Sequence, residues 1–159
     1  MINYILPNGE EKQVFEEAEG YFKRFSENGG NSMRIWISSS FLEIEDRKVG
    51  EYSQIKINRI DSLLSLAQKY DIRIKFTLQH IRTIKPEVED GAAWSNRAFI
   101  ALENGGPFNN MGEYISSQEE KKAYLDRVRA LSERSMENRQ IFSWVLWNGY
   151  RSRRKCRIP

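Results

Sequence analysis

The sequence predicts a parallel α/β fold in which helices and strands alternate along one domain. Two observations predict it: apolar residues recur at helical spacing in three segments, and the segments between them have the period or apolar run of a strand. The 159 residues suit one domain, and 40% hydrophobic with 12% aromatic residues are enough for a packed core. Alternation of this kind favours parallel strands, because each helix crosses over the sheet between two of them.

The first part of the chain contains two helix–strand units. Residues 11–27 carry their apolar side chains on one helical face, and residues 28–31 (Asn-Gly-Gly-Asn) end that helix before a strand over 32–38. Residues 55–70 form a second helical stripe, and the strand 72–80 then alternates strictly. One face of that strand carries Ile72, Ile74, Phe76 and Leu78.

The second part adds one helix and one strand. Ser117 and Glu120 are spaced as a capping box, which predicts the start of a third helix. Residues 141–147 follow as an apolar, aromatic-rich strand, and residues 2–6 fit the end of an earlier strand. The predicted order is therefore strand, helix, strand, helix, strand, helix, strand.

Functional side chains of such folds lie where strands end and on the loops that follow. The segments to consider are 38–53, 80–116 and 148 onward. The second segment is the longest connection, and long connections in compact domains are usually functional or disordered. It contains Trp94 and the run ENGGPFNN at 103–110. These aromatic and amide groups suit a ring-shaped polar ligand such as a sugar, and they also suit ordinary turns.

Charge is distributed unevenly. Five of the 25 basic residues lie in 150–159, which has no acid, so residues 1–149 hold 20 basic and 22 acidic residues. A basic tail can bind nucleic acid or membranes. Because this one has no interleaved aromatics beyond Tyr150 and no amphipathic period, neither nucleic acid nor a membrane is an expected partner. The five residues are Arg151, Arg153, Arg154, Lys155 and Arg157.

Composition excludes several classes of protein. No apolar run approaches the ~18 residues of a membrane span, and no signal peptide opens the chain. Cys156 is the only cysteine, so no internal disulfide forms. The single histidine has no cysteine or histidine cluster around it, which argues against zinc. No phosphate-binding glycine loop is present, and no cofactor or metal is expected.

Several strand residues have both a structural and a functional interpretation. Arg34 lies in an apolar strand in phase with Trp36, and a buried guanidinium there needs an anionic or polar partner, which a structural ion pair or a binding site could supply. His80 ends a strand and fits a hydrogen-bonded core histidine or a site residue. Trp144 and Trp147 fit the core better than a ligand platform, although both interpretations stay open.

A family resemblance covers nearly all of residues 2–148. It is carried, in order, by ENGGNSMRIWIS, KINRIDSLLSLAQKYDIRIKFTLQHIR, NGGPFNNMGEYISSQEEKKAYLDRVRAL and NRQIFSWVLWN. Together these segments resemble the N-terminal half of a clan A glycoside hydrolase of the family 5 type, which includes β-mannanases and cellulases. The resemblance implies an eight-stranded β/α (TIM) barrel, truncated to its first four β/α units. Residues 1–149 would be the partial catalytic barrel and 150–159 a basic tail that is out of frame or disordered.

The resemblance also implies roles for individual residues. Arg34 matches the second-strand arginine that supports the nucleophile, and His80 matches a third-strand histidine near the sugar. Asn148 matches the asparagine that binds the sugar 2-hydroxyl. Trp94 and Trp36 are further candidate substrate-binding residues. No residue of a metal site is implied.

The same resemblance implies that no catalytic residue is intact. The family has its glutamate acid/base directly after the asparagine, where this chain has Gly149, and its nucleophile lies on a seventh strand. A single-base deletion after the Asn148 codon would produce both the glycine and the basic tail, and a genuine evolved tail is the alternative.

We therefore expect a fragment of a retaining hydrolase of β-linked polysaccharide, mannan or glucan, which is inactive as written. The alternatives are a non-catalytic carbohydrate-binding domain and an unrelated small α/β domain. The intact parent would be secreted or attached to the cell surface. Self-association through open sheet edges is also expected.

Overall fold

The computed structural model describes residues 11–80, 113 and 116–148. These residues form three helices that alternate with the strands of a three-stranded parallel sheet. In chain order the elements are α1 (Glu11–Glu27), β1 (Ser32–Trp36), α2 (Gln54–Lys69), β2 (Arg73–His80), α3 (Gln118–Ser135) and β3 (Ile141–Asn148).

The strands follow one another across the sheet in the order β1, β2, β3, and both pairings are parallel. The parallel α/β prediction is confirmed. The expectation of four β/α units is wrong for the described residues, which hold three strands. The fourth was assigned to residues 2–6, which lie outside the described part. A short apolar segment does not reveal whether it pairs with a neighbouring strand, because pairing depends on distant residues.

Two helix ends follow from local sequence signals. Gly29 adopts φ +80°, and the Asn28 side-chain amide donates to the Arg24 carbonyl oxygen at 2.7 Å, so α1 stops before β1 as predicted. Asp71 adopts φ 51° two residues after the end of α2 and turns the chain into β2. Aspartate is one of the few residues that tolerate this left-handed conformation.

The N-terminus of α3 has half of the predicted capping box. The Ser117 hydroxyl accepts from the amides of Glu119 and Glu120, at 3.0 and 3.3 Å. The Ser117 amide donates to the Glu113 carbonyl oxygen at 2.9 Å. The preceding turn, not the Glu120 carboxylate, therefore supplies the acceptor that the reciprocal half of the box would provide.

The helices cover one face of the sheet. Ile72, Ile74, Phe76 and Leu78 are all buried, which confirms the predicted face of β2. The Trp144 ring packs on Phe76 with 5.3 Å between ring centroids, in agreement with the core interpretation of this tryptophan.

A bulge keeps β3 in phase with this core. Ile74 pairs with Ile141, but the next residue, Lys75, pairs with Ser143, so Phe142 is an extra residue. Ile141 and Trp144 are three positions apart and would otherwise point to opposite faces. The bulge lets both pack against the core, and Phe142 is left exposed.

No helix within the described ranges is long and apolar enough to cross a membrane.

The centre of β2 should dominate stability. Replacement of Phe76 by alanine is expected to lower the free energy of unfolding by about 3–5 kcal/mol, because the side chain is fully buried and leaves a cavity. Leu125→Ala on the exposed side of α3 is the control and should change it by less than about 0.5 kcal/mol. Urea denaturation followed by tryptophan fluorescence measures both. Equal losses in the two variants would contradict this assignment of the core.

Candidate functional site

The carboxyl ends of the three strands meet at one edge of the sheet. His80 and Asn148 are the last residues of β2 and β3, and they are paired in register. Trp36 ends β1 and pairs with Thr77, three residues before His80. Two of the residues predicted for a site therefore lie on adjacent strand ends.

Arg34 lies on β1 in a different environment from the one predicted. Its side chain is exposed, and its guanidinium carbon lies 5.5 Å from the centroid of the half-buried Trp36 ring. The premise of a buried guanidinium is therefore wrong. The reason is that the helices pack on the opposite face of β1, against Met33 and Ile35, so apolar neighbours in sequence did not indicate burial of this face.

Several predicted positions lie outside the described residues. These are Trp94, the 103–110 segment, Gly149 and the basic tail 150–159. The sugar-platform role of Trp94 and the placement of 103–110 at the same end of the sheet as His80 stay predictions.

The loop between β1 and α2 buries two carboxylates at this edge. Glu43 and Glu45 are both 0% exposed, and both are adjacent in sequence to Ile44, a buried residue of the core. The loop is a folded unit: the Glu43 amide donates to the Ser39 carbonyl oxygen at 2.8 Å, and the Ser53 amide donates to the Ile44 carbonyl oxygen at 2.8 Å. Lys56 of α2 contacts it from the other side through an ion pair with Asp46 at 2.8 Å.

Arg127 of α3 is the buried partner of Glu43. Its Nη1 lies 2.9 and 2.8 Å from the two Glu43 carboxylate oxygens. Its Nη2 donates to the Leu78 carbonyl oxygen at 3.3 Å and to Gln79 Oε1 at 3.0 Å. The side chain is 1% exposed. One guanidinium thus joins α3, the loop after β1 and the last residues of β2.

Burial raises the pKa of the Glu43 carboxyl, and the charge and hydrogen bonds of Arg127 offset part of that rise. Burial is also the main cause that raises the pKa of Glu45, and the Glu43 charge adds to it. Glu45 Oε1 accepts from the Gly50 amide at 2.6 Å, whereas Oε2 has no hydrogen-bond partner among the described residues. Glu45 therefore binds a proton more readily than an ordinary glutamate.

This network was not predicted from sequence. A signal for it existed in the alternation of Leu42, Glu43, Ile44 and Glu45, which places carboxylates inside an apolar run directly after a strand. Arg127 gave a second signal, because it lies at i+3 from Tyr124 and i−4 from Leu131, on the apolar face of α3. No group of three residues able to hold a metal ion occurs in the described ranges.

Three solved structures resemble this fold. A β-mannanase from the blue mussel Mytilus edulis is 16% identical with a TM-score of 0.59, and the match covers 92% of this chain and 38% of that one. Endo-glycoceramidase II from Rhodococcus sp., in complex with cellobiose-like isofagomine, is 16% identical with a TM-score of 0.55, over 82% and 35% of the two chains. A GH5_18 protein from Bifidobacterium longum subsp. infantis is 11% identical with a TM-score of 0.60, over 84% and 28%.

At such identities the similarity shows the fold alone. The chain has part of the α/β fold of these structures, and it spans only about a quarter to two fifths of their length. No protein-family model matches the sequence. No curated protein matches it either.

Removal of Glu43 should be far more costly than removal of a surface glutamate. Glu43→Ala leaves the Arg127 guanidinium buried without its counter-charge, and we expect a loss of about 3–5 kcal/mol in unfolding free energy. Glu51→Ala removes an exposed ion pair with Lys48 and should cost at most about 1 kcal/mol. Urea denaturation of both variants checks this, and a small loss for Glu43→Ala would show that Arg127 is solvated.

The contribution of Glu45 to the free energy of unfolding should decrease as pH rises. A carboxyl whose folded-state pKa is raised above the ordinary value of 4.5 contributes stability that is complete below that value and is lost as pH rises through the folded-state pKa. The stability of the parent chain minus that of Glu45→Gln should therefore decrease as pH rises above 4.5. Glu51→Gln serves as the exposed control. A difference that increases with pH would contradict the raised pKa of Glu45.

Proposed function

We propose that this chain is part of a family 5-like glycoside hydrolase barrel whose substrate is a β-linked polysaccharide, either mannan or glucan. The observation that carries the proposal is the register of the sheet. His80 and Asn148, the residues that the family resemblance assigns to sugar binding, end adjacent parallel strands. Functional groups of barrel enzymes collect at that edge, because the loops after the strands open there.

A saccharide is the proposed partner. The Rhodococcus structure with the same fold holds a cellobiose-like isofagomine, which supports a sugar-like ligand for this fold. In this chain Arg34 and Trp36 place a guanidinium and an indole ring on the face of β1 that the helices leave uncovered. A cation and an aromatic ring on one face of a strand suit hydroxyl groups and the flat face of a pyranose. We assign both residues, with Trp94, to substrate binding.

In an intact barrel the proposed reaction is retaining hydrolysis. It uses two carboxyl groups about 5–5.5 Å apart, one as acid/base and one as nucleophile. Gly149 occupies the acid/base position implied by the resemblance, and glycine has no proton to transfer. The buried carboxylates of the β1–α2 loop do not replace it, because Glu43 is bound by Arg127 and Glu45 is fully buried. The proposed state of the chain as written is therefore catalytically inactive.

A non-catalytic carbohydrate-binding domain is the second candidate function. It is favoured by the same glycine, because loss of the acid/base removes chemistry while it leaves the remaining sugar contacts in place. The two candidates share a ligand and differ in whether an intact form hydrolyses it.

Hydrolysis should appear only when the missing carboxyl groups are restored together. Release of reducing sugar from mannan and from cellulosic glucan is to be measured for the chain as written, for Gly149→Glu and for a form whose reading frame is restored after Asn148. We expect no activity from the first two, because one acid without a nucleophile cannot complete the retaining route. The frame-restored form should hydrolyse at least one of the polymers.

Two results would overturn parts of this proposal. Activity of the chain as written would show that another group performs the chemistry. Inactivity of a well-folded frame-restored form on every β-glycan tested, together with binding of mannohexaose or cellohexaose by calorimetry, would select the non-catalytic function. Gly149→Gln is the matched control for Gly149→Glu, since it has the same size without the acid.

A further inference from the structure

We propose that Arg127 is a positioning residue that holds the strand ends of the candidate sugar site in register with the loop after β1. This inference rests on the proposed function for its ligand. It goes beyond that function because Arg127 lies on a helix on the outer side of the sheet, 47 positions after His80 in sequence, and is not among the proposed sugar contacts.

The first argument is that the two terminal nitrogens of the guanidinium contact different elements. Nη1 faces Glu43, while Nη2 donates to the carbonyl oxygen of Leu78 and the side chain of Gln79. These are the two residues directly before His80. The planar fork fixes the distance between its two nitrogens, so the position of Glu43 and the position of the β2 end are linked through one rigid group.

The second argument is that the loop has its own attachment elsewhere. Lys56 of α2 forms an ion pair with Asp46 and donates to the Ser40 carbonyl oxygen. The loop would therefore stay folded without the Nη2 contacts. What those contacts add is specific to β2: they hold a backbone carbonyl and a buried amide at the carboxyl end of the strand.

A third argument concerns the free-energy cost of burying the ion pair. A buried arginine cannot lose its proton to escape desolvation, and an ion pair in the interior is often no more stabilising than apolar residues of the same size. The pair between Glu43 and Arg127 is fully buried. The effect of this pair in the structure is geometric. Through Arg127 it connects α3, the loop after β1 and the end of β2, which are not adjacent in sequence.

Arg127→Lys separates positioning from simple charge pairing. Lysine keeps a positive charge for Glu43, but its single ammonium cannot reproduce the planar two-nitrogen fork that also reaches Leu78 and Gln79. Arg134→Lys is the matched control, since Arg134 lies on the same helix and pairs with Asp61 at the surface at 2.6 Å. Gln79→Leu is a second variant that removes only the side-chain acceptor on β2.

Three readouts apply to each folded variant. The imidazole signal in NMR reports His80, which is the only histidine of the chain. Hydrogen exchange of the Ile37 amide reports the junction of β1 and β2, because that amide donates to the Thr77 carbonyl oxygen at 2.9 Å. Calorimetry gives Kd for mannohexaose and cellohexaose. The Ile72 amide, which donates to the Ala67 carbonyl oxygen at 2.8 Å before the amino end of β2, serves as an internal reference away from the edge.

For Arg127→Lys we expect a shifted His80 signal, about tenfold faster exchange of Ile37 relative to Ile72, and oligosaccharide binding weaker by about 10- to 100-fold. Gln79→Leu should give smaller changes of the same sign, and Arg134→Lys none. Unchanged His80 and Ile37 signals in both Arg127→Lys and Gln79→Leu would overturn the inference. Failure of the parent chain to bind either oligosaccharide would instead overturn the proposed function, while the His80 and Ile37 readouts still decide whether Arg127 holds the edge.

Discussion

The burial of one positive charge constrains much of this structure. The Arg127 guanidinium lies inside the protein, and a buried charge of this kind requires a counter-ion and hydrogen-bond acceptors. Glu43 supplies the charge, and the end of β2 supplies the acceptors. The loop after β1 must therefore fold inward, since its carboxylate has to reach a helix that begins more than 70 residues later in the chain. Glu45 is buried in the same interior, and this burial raises the pKa of its carboxyl group.

The sheet has two chemically different faces, and that difference connects the fold to the proposed function. One face of β2 is apolar and packs under the helices, and a bulge at Phe142 brings β3 into phase with it. The other face carries polar side chains on β1 and β2, such as Arg34 and Thr77. In a closed barrel that face would line the interior, below the strand ends where substrates bind. The proposed sugar contacts of Arg34 and Trp36 follow from that arrangement.

The residues proposed for catalysis can be distinguished from the residues that build the fold. The described residues form a three-stranded parallel sheet, its helices and a hydrogen-bonded loop at the carboxyl edge of the sheet. The position that the resemblance gives to the proton donor holds Gly149. A barrel fold does not imply catalysis, because activity depends on a few side chains at the strand ends while the packing depends on many residues elsewhere. Under the proposed function, the register of His80 with Asn148 can therefore persist although Gly149 occupies the position proposed for the acid/base.

Local signals in the sequence determined most of the secondary structure. The glycine stop after α1, the Ser117 cap of α3 and the alternation of β2 each act over a few residues, and the structure has each of them. Tertiary structure alone decided which face of β1 is covered, so the expected burial of Arg34 was wrong. It also decided the pairing of Glu43 with Arg127, which are 84 positions apart. Periodicity reports which residues of one element share a face, but contact between elements depends on how the sheet and helices pack, and no short pattern encodes that.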